Sequence, residues 1–117
     1  MSYPLGAACH VPHGEANYVM FTAVYKTYMA LKPEGSIQIL NAHLAKVLGC
    51  SPETVYDELE KLLGQLITKK PMREYGVTKE DIDIYTETVM TKQGRLMANN
   101  YTELDAATVK KIYESLW

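Results

Sequence analysis

Between Glu15 and Leu31 the chain carries apolar side chains on nearly every side: Val19, Met20, Phe21, Ala23, Val24, Tyr25 and Tyr28 leave no broad polar face. A helix that is apolar all round must lie inside a bundle rather than on its surface. The remaining elements therefore have to wrap this one. Their spacing is also helical. Lys32-Pro33-Glu34-Gly35 interrupts the first helix, and Ser36 is placed to cap a second one carrying Ile37, Leu40, Leu44, Val47 and Leu48. Gly49 is placed to end it in the left-handed conformation that glycine adopts cheaply. Ser51 and Pro52 open a third helix with the apolar stripe Val55, Leu59, Leu62, Leu63, Leu66 and Ile67 and an outer Asp57–Lys61 pair. Pro71 stops it beyond Lys69-Lys70. Thr78 caps a fourth helix with Asp81 as its capping-box partner; Ile82, Tyr85, Val89, Leu96 and Met97 are expected on its buried face, with Gly94 as a weak point. Asn99-Asn100 reads as a turn, and Asp105 caps a last helix in which Val109, Ile112, Tyr113 and Leu116 share a face. No run alternates with period two, so the fold class predicted is all-α, a bundle of about five helices.

Composition narrows the function classes. The 117 residues make one domain, residues 1–117, and 47% hydrophobic content can build a core without staples. Twelve basic and fourteen acidic side chains leave a formal charge of −2, too balanced for a nucleic-acid binder. Cys9 and Cys50 are too few for a secreted disulfide scaffold, which makes a reducing cytoplasm the expected compartment. The N-terminal residues lack a basic region followed by an apolar run, and no stretch approaches the roughly 18 apolar residues of a membrane helix.

Candidate chemistry is concentrated near the front, where Cys9, His10 and His13 lie just before the apolar helix. Pro12 forbids a regular helix through His10-Val11-Pro12-His13 and pushes Val11 toward an extended backbone, so this is a rigid entry turn. His13 and Gly14 then fall in or just before the first turn of the next helix, and imidazole is a common ligand for divalent iron and zinc. Gly14, without a side chain, allows close approach. Spacing alone favours ordinary turn histidines, because a metal needs three or four ligands. A zinc site drawn from Cys9, His10, His13, His43 and Cys50 would need residues from different helices, and no C-x-x-C pair anchors it. His43 reads as a boundary histidine of its helix. Lys69, Lys70 and Arg73 read as solvated cations at a helix C-terminus or, less simply, as an anion contact. No nucleotide-binding loop or nucleophile elbow is present.

The run Pro4-Leu5-Gly6-Ala7-Ala8-Cys9-His10-Val11-Pro12-His13-Gly14-Glu15-Ala16-Asn17 resembles the later half of the iron-containing alcohol dehydrogenase signature, P-L-G-x(5)-P-H-G-x-A-N. Gly76–Asp83, Arg95–Asn100 and Ile112-Tyr113 are similar in order and spacing to that family's C-terminal region. The resemblance implies a C-terminal, all-helical, metal-binding domain whose partner, an N-terminal nucleotide-binding domain, carries NAD. It implies Fe²⁺ (or Zn²⁺) held by one aspartate and three histidines, of which His13 is the last; the others would lie upstream of Met1. Such an ion stabilises an alkoxide while hydride passes to the nicotinamide.

Within the family, S-Y-P-L-G, H-V-P-H-G-E-A-N-Y and A-N-N-Y-x-E-L most resemble the branch that interconverts 4-hydroxybutyrate and succinate semialdehyde. Many members have a histidine just before P-L-G; Tyr3 stands there instead, a feature bearing on substrate choice or proton delivery. Tyr3 and His10 are the substrate-side catalytic candidates that the resemblance implies. The expectations that follow are a small-molecule substrate, no nucleic acid or membrane partner, a homo-oligomer, and no dehydrogenase activity for the 117-residue chain alone. Two alternatives stand beside them: an iron alcohol dehydrogenase for another primary alcohol, and a non-catalytic helical oligomerisation module.

Overall fold

The computed structural model describes residues 1–117. It contains seven α-helices and no strand: α1 (Tyr3–Cys9), α2 (His13–Leu31), α3 (Ser36–Leu48), α4 (Val55–Gly64), α5 (Lys79–Lys92), α6 (Gly94–Met97) and α7 (Ala106–Leu116), with a 3₁₀ turn at Met72–Tyr75. The all-α expectation holds. The two helices beyond the expected five arise at chain breaks. Pro4 near its start lets Tyr3–Cys9 form a short helix of its own, and Gln93 interrupts the fourth expected helix, separating α6 from α5 just before Gly94.

Helix α2 is the hub, packed by α1, α3, α4 and α7, while α5 packs on α7 and α1. Ala16, Val19 and Met20 of α2 meet Leu5 and Val11 from the front of the chain and Val89, Val109, Ile112 and Tyr113 from α5 and α7 in one core. Each buried apolar side chain contributes on the order of 1.5–3 kcal/mol over its exposed state. Burial pushes the Tyr113 hydroxyl well above the usual phenol range, and it donates to the Met1 carbonyl at 2.7 Å.

Caps at α5 and α7 match the sequence reading. Thr78 Oγ1 accepts from Asp81 N at 3.2 Å while Asp81 Oδ2 accepts from Thr78 N at 2.8 Å, and Asp105 Oδ1 accepts from Thr108 N at 2.8 Å. Gly49 ends α3 at φ 68°, as expected. Other local expectations yield to packing. Gly35, not Ser36, is the N-cap of α3. That helix buries Ile37, Asn41 and Ala45, because Tyr56 of α4 donates to Asn41 Oδ1 at 2.6 Å from the buried side. Leu40 and Val47 consequently face outward, and His43 is exposed rather than at a buried boundary. Desolvation pushes the Tyr56 hydroxyl up to about 12.

Helix α4 starts at Val55 with Thr54 as its N-cap, not at Ser51-Pro52, and stops at Gly64, so Leu66 and Ile67 fall beyond it and are exposed together with Leu62. Tyr18 pins that segment by donating to the Ile67 carbonyl at 3.1 Å. Leu96 is likewise exposed. The expected Asp57–Lys61 pair is not made: Lys26 of α2 takes Asp57 at 2.6 Å, and Lys61 pairs with Glu58 at 2.6 Å. No helix is long and apolar enough to cross a membrane.

The two capping aspartates set an acid limit on stability. Hydrogen bonds from the Thr78 backbone and hydroxyl hold Asp81 below the usual carboxylate range, and bonds from Thr108 do the same for Asp105. A carboxyl whose folded pKa is depressed stabilises above its unfolded value, near 4, and loses that contribution as pH falls through the folded value. The urea midpoint is expected to hold from neutrality to about pH 4 and decline below it, with the decline flattened in D81N/D105N. At pH 7, T78A should cost about 1 kcal/mol in the same measurement.

Candidate functional site

The junction between α1 and α2 is built by a residue in an uncommon conformation. His10 caps α1 with φ 54° and ψ 27°, the left-handed region that costs a non-glycine residue of order 1 kcal/mol. This turns the chain so that Val11 drops into the core, 6% exposed, and Pro12 follows in extended backbone. Helix α2 then begins at His13, with Ala16 N donating to the Pro12 carbonyl at 2.8 Å. The entry turn expected from Pro12 is thus present, and its buried Val11 aims both flanking histidines at solvent: His10 and His13 are exposed. Tyr3, 57% exposed, opens α1 seven residues before His10, about 10 Å away along a helical rise.

His13 is held by a short chain of polar side chains. The Ser2 hydroxyl donates to Asn17 Oδ1 at 2.5 Å, and Asn17 Nδ2 lies 3.0 Å from His13 Nε2. An amide N–H₂ only donates, so Nε2 is the accepting nitrogen and carries a lone pair. Asn17 was not singled out among the candidate residues, although its position four after His13, one helical turn on, was the available signal. Glu15, in the same first turn, accepts from the Tyr75 hydroxyl at 2.6 Å, which ties the 3₁₀ turn to the start of α2. Burial, then the bond to Glu15, pushes the Tyr75 hydroxyl far up. Beside Gly14 and Asn17 runs an open, mainly apolar groove of about 570 Å³, floored by Tyr18, Phe21, Val24 and Leu63. A Cβ at position 14 would meet nothing within 4 Å, so Gly14 borders open space at this edge of the groove.

The donor set tests what the site could hold. His13 has the chemistry of one metal ligand, but no three His, Cys, Asp or Glu side chains are placed to hold an ion. A zinc site from Cys9, His10, His13, His43 and Cys50 is therefore not assembled. Cys9 and Cys50 are free thiols, and Cys9 Sγ lies 3.5 Å from the Tyr85 hydroxyl. Lys69, Lys70 and Arg73 lie past the end of α4, not in its last turn.

The whole length of the chain, residues 1–117, matches the model of the C-terminal region of the Fe-containing alcohol dehydrogenase family. The chain belongs to the iron-containing alcohol dehydrogenase family. It is 42% identical over 117 residues to a 4-hydroxybutyrate dehydrogenase of Clostridium kluyveri, covering 100% of this chain and 32% of that protein. It is 27% identical over 124 residues to long-chain-alcohol dehydrogenase 1 of Geobacillus thermodenitrificans, covering 98% of this chain and 30% of that protein. The chain thus spans about a third of the length of the curated relatives it matches. No solved structure matches it.

The Tyr75–Glu15 bond makes a local prediction. Tyr75→Phe should lower stability by about 1 kcal/mol in urea unfolding, since a partly exposed hydrogen bond to a carboxylate is lost. Amide exchange in the first turn of α2 should quicken with it.

Proposed function

We propose that this chain is the metal-bearing helical part of an NAD-dependent, iron-dependent 4-hydroxybutyrate dehydrogenase, which interconverts 4-hydroxybutyrate and succinate semialdehyde by hydride transfer. The observation that carries the reading is 42% identity to a named 4-hydroxybutyrate dehydrogenase along the full chain, against 27% to a long-chain-alcohol enzyme. In this reading His13 would be one of the residues that hold iron, with Asn17 beside its ring. Iron, when bound, supplies a positive charge beside the substrate oxygen. Its other ligands and the nicotinamide-binding domain come from outside these 117 residues, which is why a lone imidazole with no further donors beside it is compatible with the role.

Tyr3 and His10 are proposed to border the substrate. Their exposure on either end of the α1 turn supports this, and both carry a group able to donate or accept a proton. The apolar groove beside Gly14 suits the carbon chain of a small substrate or the covering domain. Two free cysteines agree with a reducing cytoplasm, and exposed Ile39 and Val47 on α3 with a homo-oligomer.

The test replaces the matching C-terminal third of the Clostridium kluyveri enzyme with this chain. The chimaera is expected to reduce NAD with 4-hydroxybutyrate far better than with a long-chain alcohol. H13A should lose both bound iron and turnover, and H10A or Tyr3→Phe should keep iron while slowing turnover by about a hundredfold. The 117-residue chain alone, supplied with Fe²⁺, NAD and 4-hydroxybutyrate, should form no NADH. A chimaera that prefers the long-chain alcohol would assign the chain to another alcohol, and an H13A variant that retains iron and activity would remove His13 from the site.

A further inference from the structure

Helix α2 is apolar on nearly every side, yet one side of it has no helix against it. Its inner residues Ala16, Val19 and Met20 lie in the core, and the flank carrying Thr22 and Lys26 is met by Glu60 of α4, at 3.2 Å and 3.1 Å. Gly14, Asn17, Tyr18, Phe21, Val24 and Tyr25 instead face the open groove of about 570 Å³ beside His13. They recur in steps of three or four positions and so form one stripe of the helix, about 16 Å long from Gly14 to Tyr25. Tyr18, Phe21, Val24 and Tyr25 are only half-buried, and Leu63 of α4 lines the groove with them. Beyond Leu63 the apolar surface goes on: Leu66 and Ile67 are exposed, and the Tyr18 hydroxyl ties this segment to the same edge through the Ile67 carbonyl.

The lining discriminates among occupants. None of its side chains is charged, so a substrate carboxylate would enter unpaired, which an apolar groove disfavours. Met1 lies at its edge, where burial lowers the pKa of the α-amino group, so positive charge is disfavoured there too. An extended segment fares no better, because its backbone groups need partners and the polar side chains here are engaged. Ser2 is bonded to Asn17 at 2.5 Å and Asn100 to Tyr28 at 2.7 Å. A helix satisfies its own backbone and offers the row of side chains that fits such a stripe. Open space at Gly14 lets that helix come close at the His13 end.

We infer that the groove receives an amphipathic helix from the part of the dehydrogenase that lies outside these 117 residues, rather than substrate or a second copy of the chain. The inference rests on the iron-dehydrogenase reading above. The chain accounts for 32% and 30% of the lengths of its two relatives, so most of such an enzyme has still to be packed against it. The stripe begins one residue after His13, whose proposed companions at the metal come from that same remainder, so the remainder has to approach at this edge. The incoming helix would set apolar side chains against Phe21, Val24 and Leu63 over about three turns and turn its polar face away.

The experiment compares hydroxyl-radical labelling of side chains in the isolated chain and in the metal-free chimaera that carries it as its C-terminal third. Tyr18, Phe21, Tyr25 and Leu66 should label readily in the isolated chain and several-fold more slowly in the chimaera. Gly14→Leu should leave the melting temperature of the isolated chain unchanged or raised, since its Cβ meets nothing, and lower that of the chimaera by several degrees, since it would meet the incoming helix. The Clostridium kluyveri enzyme and its own C-terminal third should show the same contrast at the matching positions, which keeps the test open should the chimaera not fold. Equal labelling in both forms, protection that appears only when 4-hydroxybutyrate is added, or labelling of the isolated chain that falls as its concentration rises would each overturn the inference. The dehydrogenase reading fails separately: a chimaera that prefers the long-chain alcohol while protecting the stripe leaves the docking intact.

Discussion

Helix α2 is enclosed by four other helices, and the rest of the structure follows from which of its faces they cover. Ala16, Val19 and Met20 are buried to within a few per cent, so the helix cannot rotate without exposing the centre of the core. Dense packing permits no gradual adjustment here, because a small rotation would open voids on one side and create clashes on the other. With that orientation set, His13 must lie at an open end, Thr22 must turn its hydroxyl into the Glu60 network on the opposite flank, and Phe21 must face the apolar groove.

The junction before α2 converts that packing into an exposed imidazole. Val11 is the anchor: its burial fixes the turn, and the left-handed backbone at His10 is the strain accepted to place it. Pro12 then starts α2 without a competing helical turn from α1. A flexible loop at this point would leave the ring of His13 to wander. A rigid turn and the Ser2–Asn17 relay hold it to one edge instead.

Much of this was legible in one dimension. The 3.6-residue pattern, Thr78 with Asp81, Asp105, Gly49 and Pro12 act through neighbours within a turn or so, and each behaves as its local chemistry dictates. The P-L-G and P-H-G-x-A-N segments pointed to the family that the full-length match then showed. Less legible was which apolar side chains would be covered. Leu40 and Val47 are as apolar as Ile37, yet only Ile37 is buried, because a hydrogen bond from Tyr56 to Asn41 draws a partly polar face of α3 inward. Nor does spacing reveal that Lys26 takes Asp57 away from Lys61: that choice is made between helices.

What sequence alone determined was therefore the short-range part: helix identity, the ends set by Thr78, Asp105 and Gly49, the break at Pro12, and the motif carrying His13. Tertiary structure alone decided the faces, the exposure of His10 and His13, the relay through Asn17, and the stripe of α2 left open along the groove. The physical reason is range. Caps and backbone breaks are settled by atoms a few residues apart, whereas burial and charge pairing are settled by whichever helix arrives opposite, and nothing along the chain encodes that arrival except the whole sequence acting together.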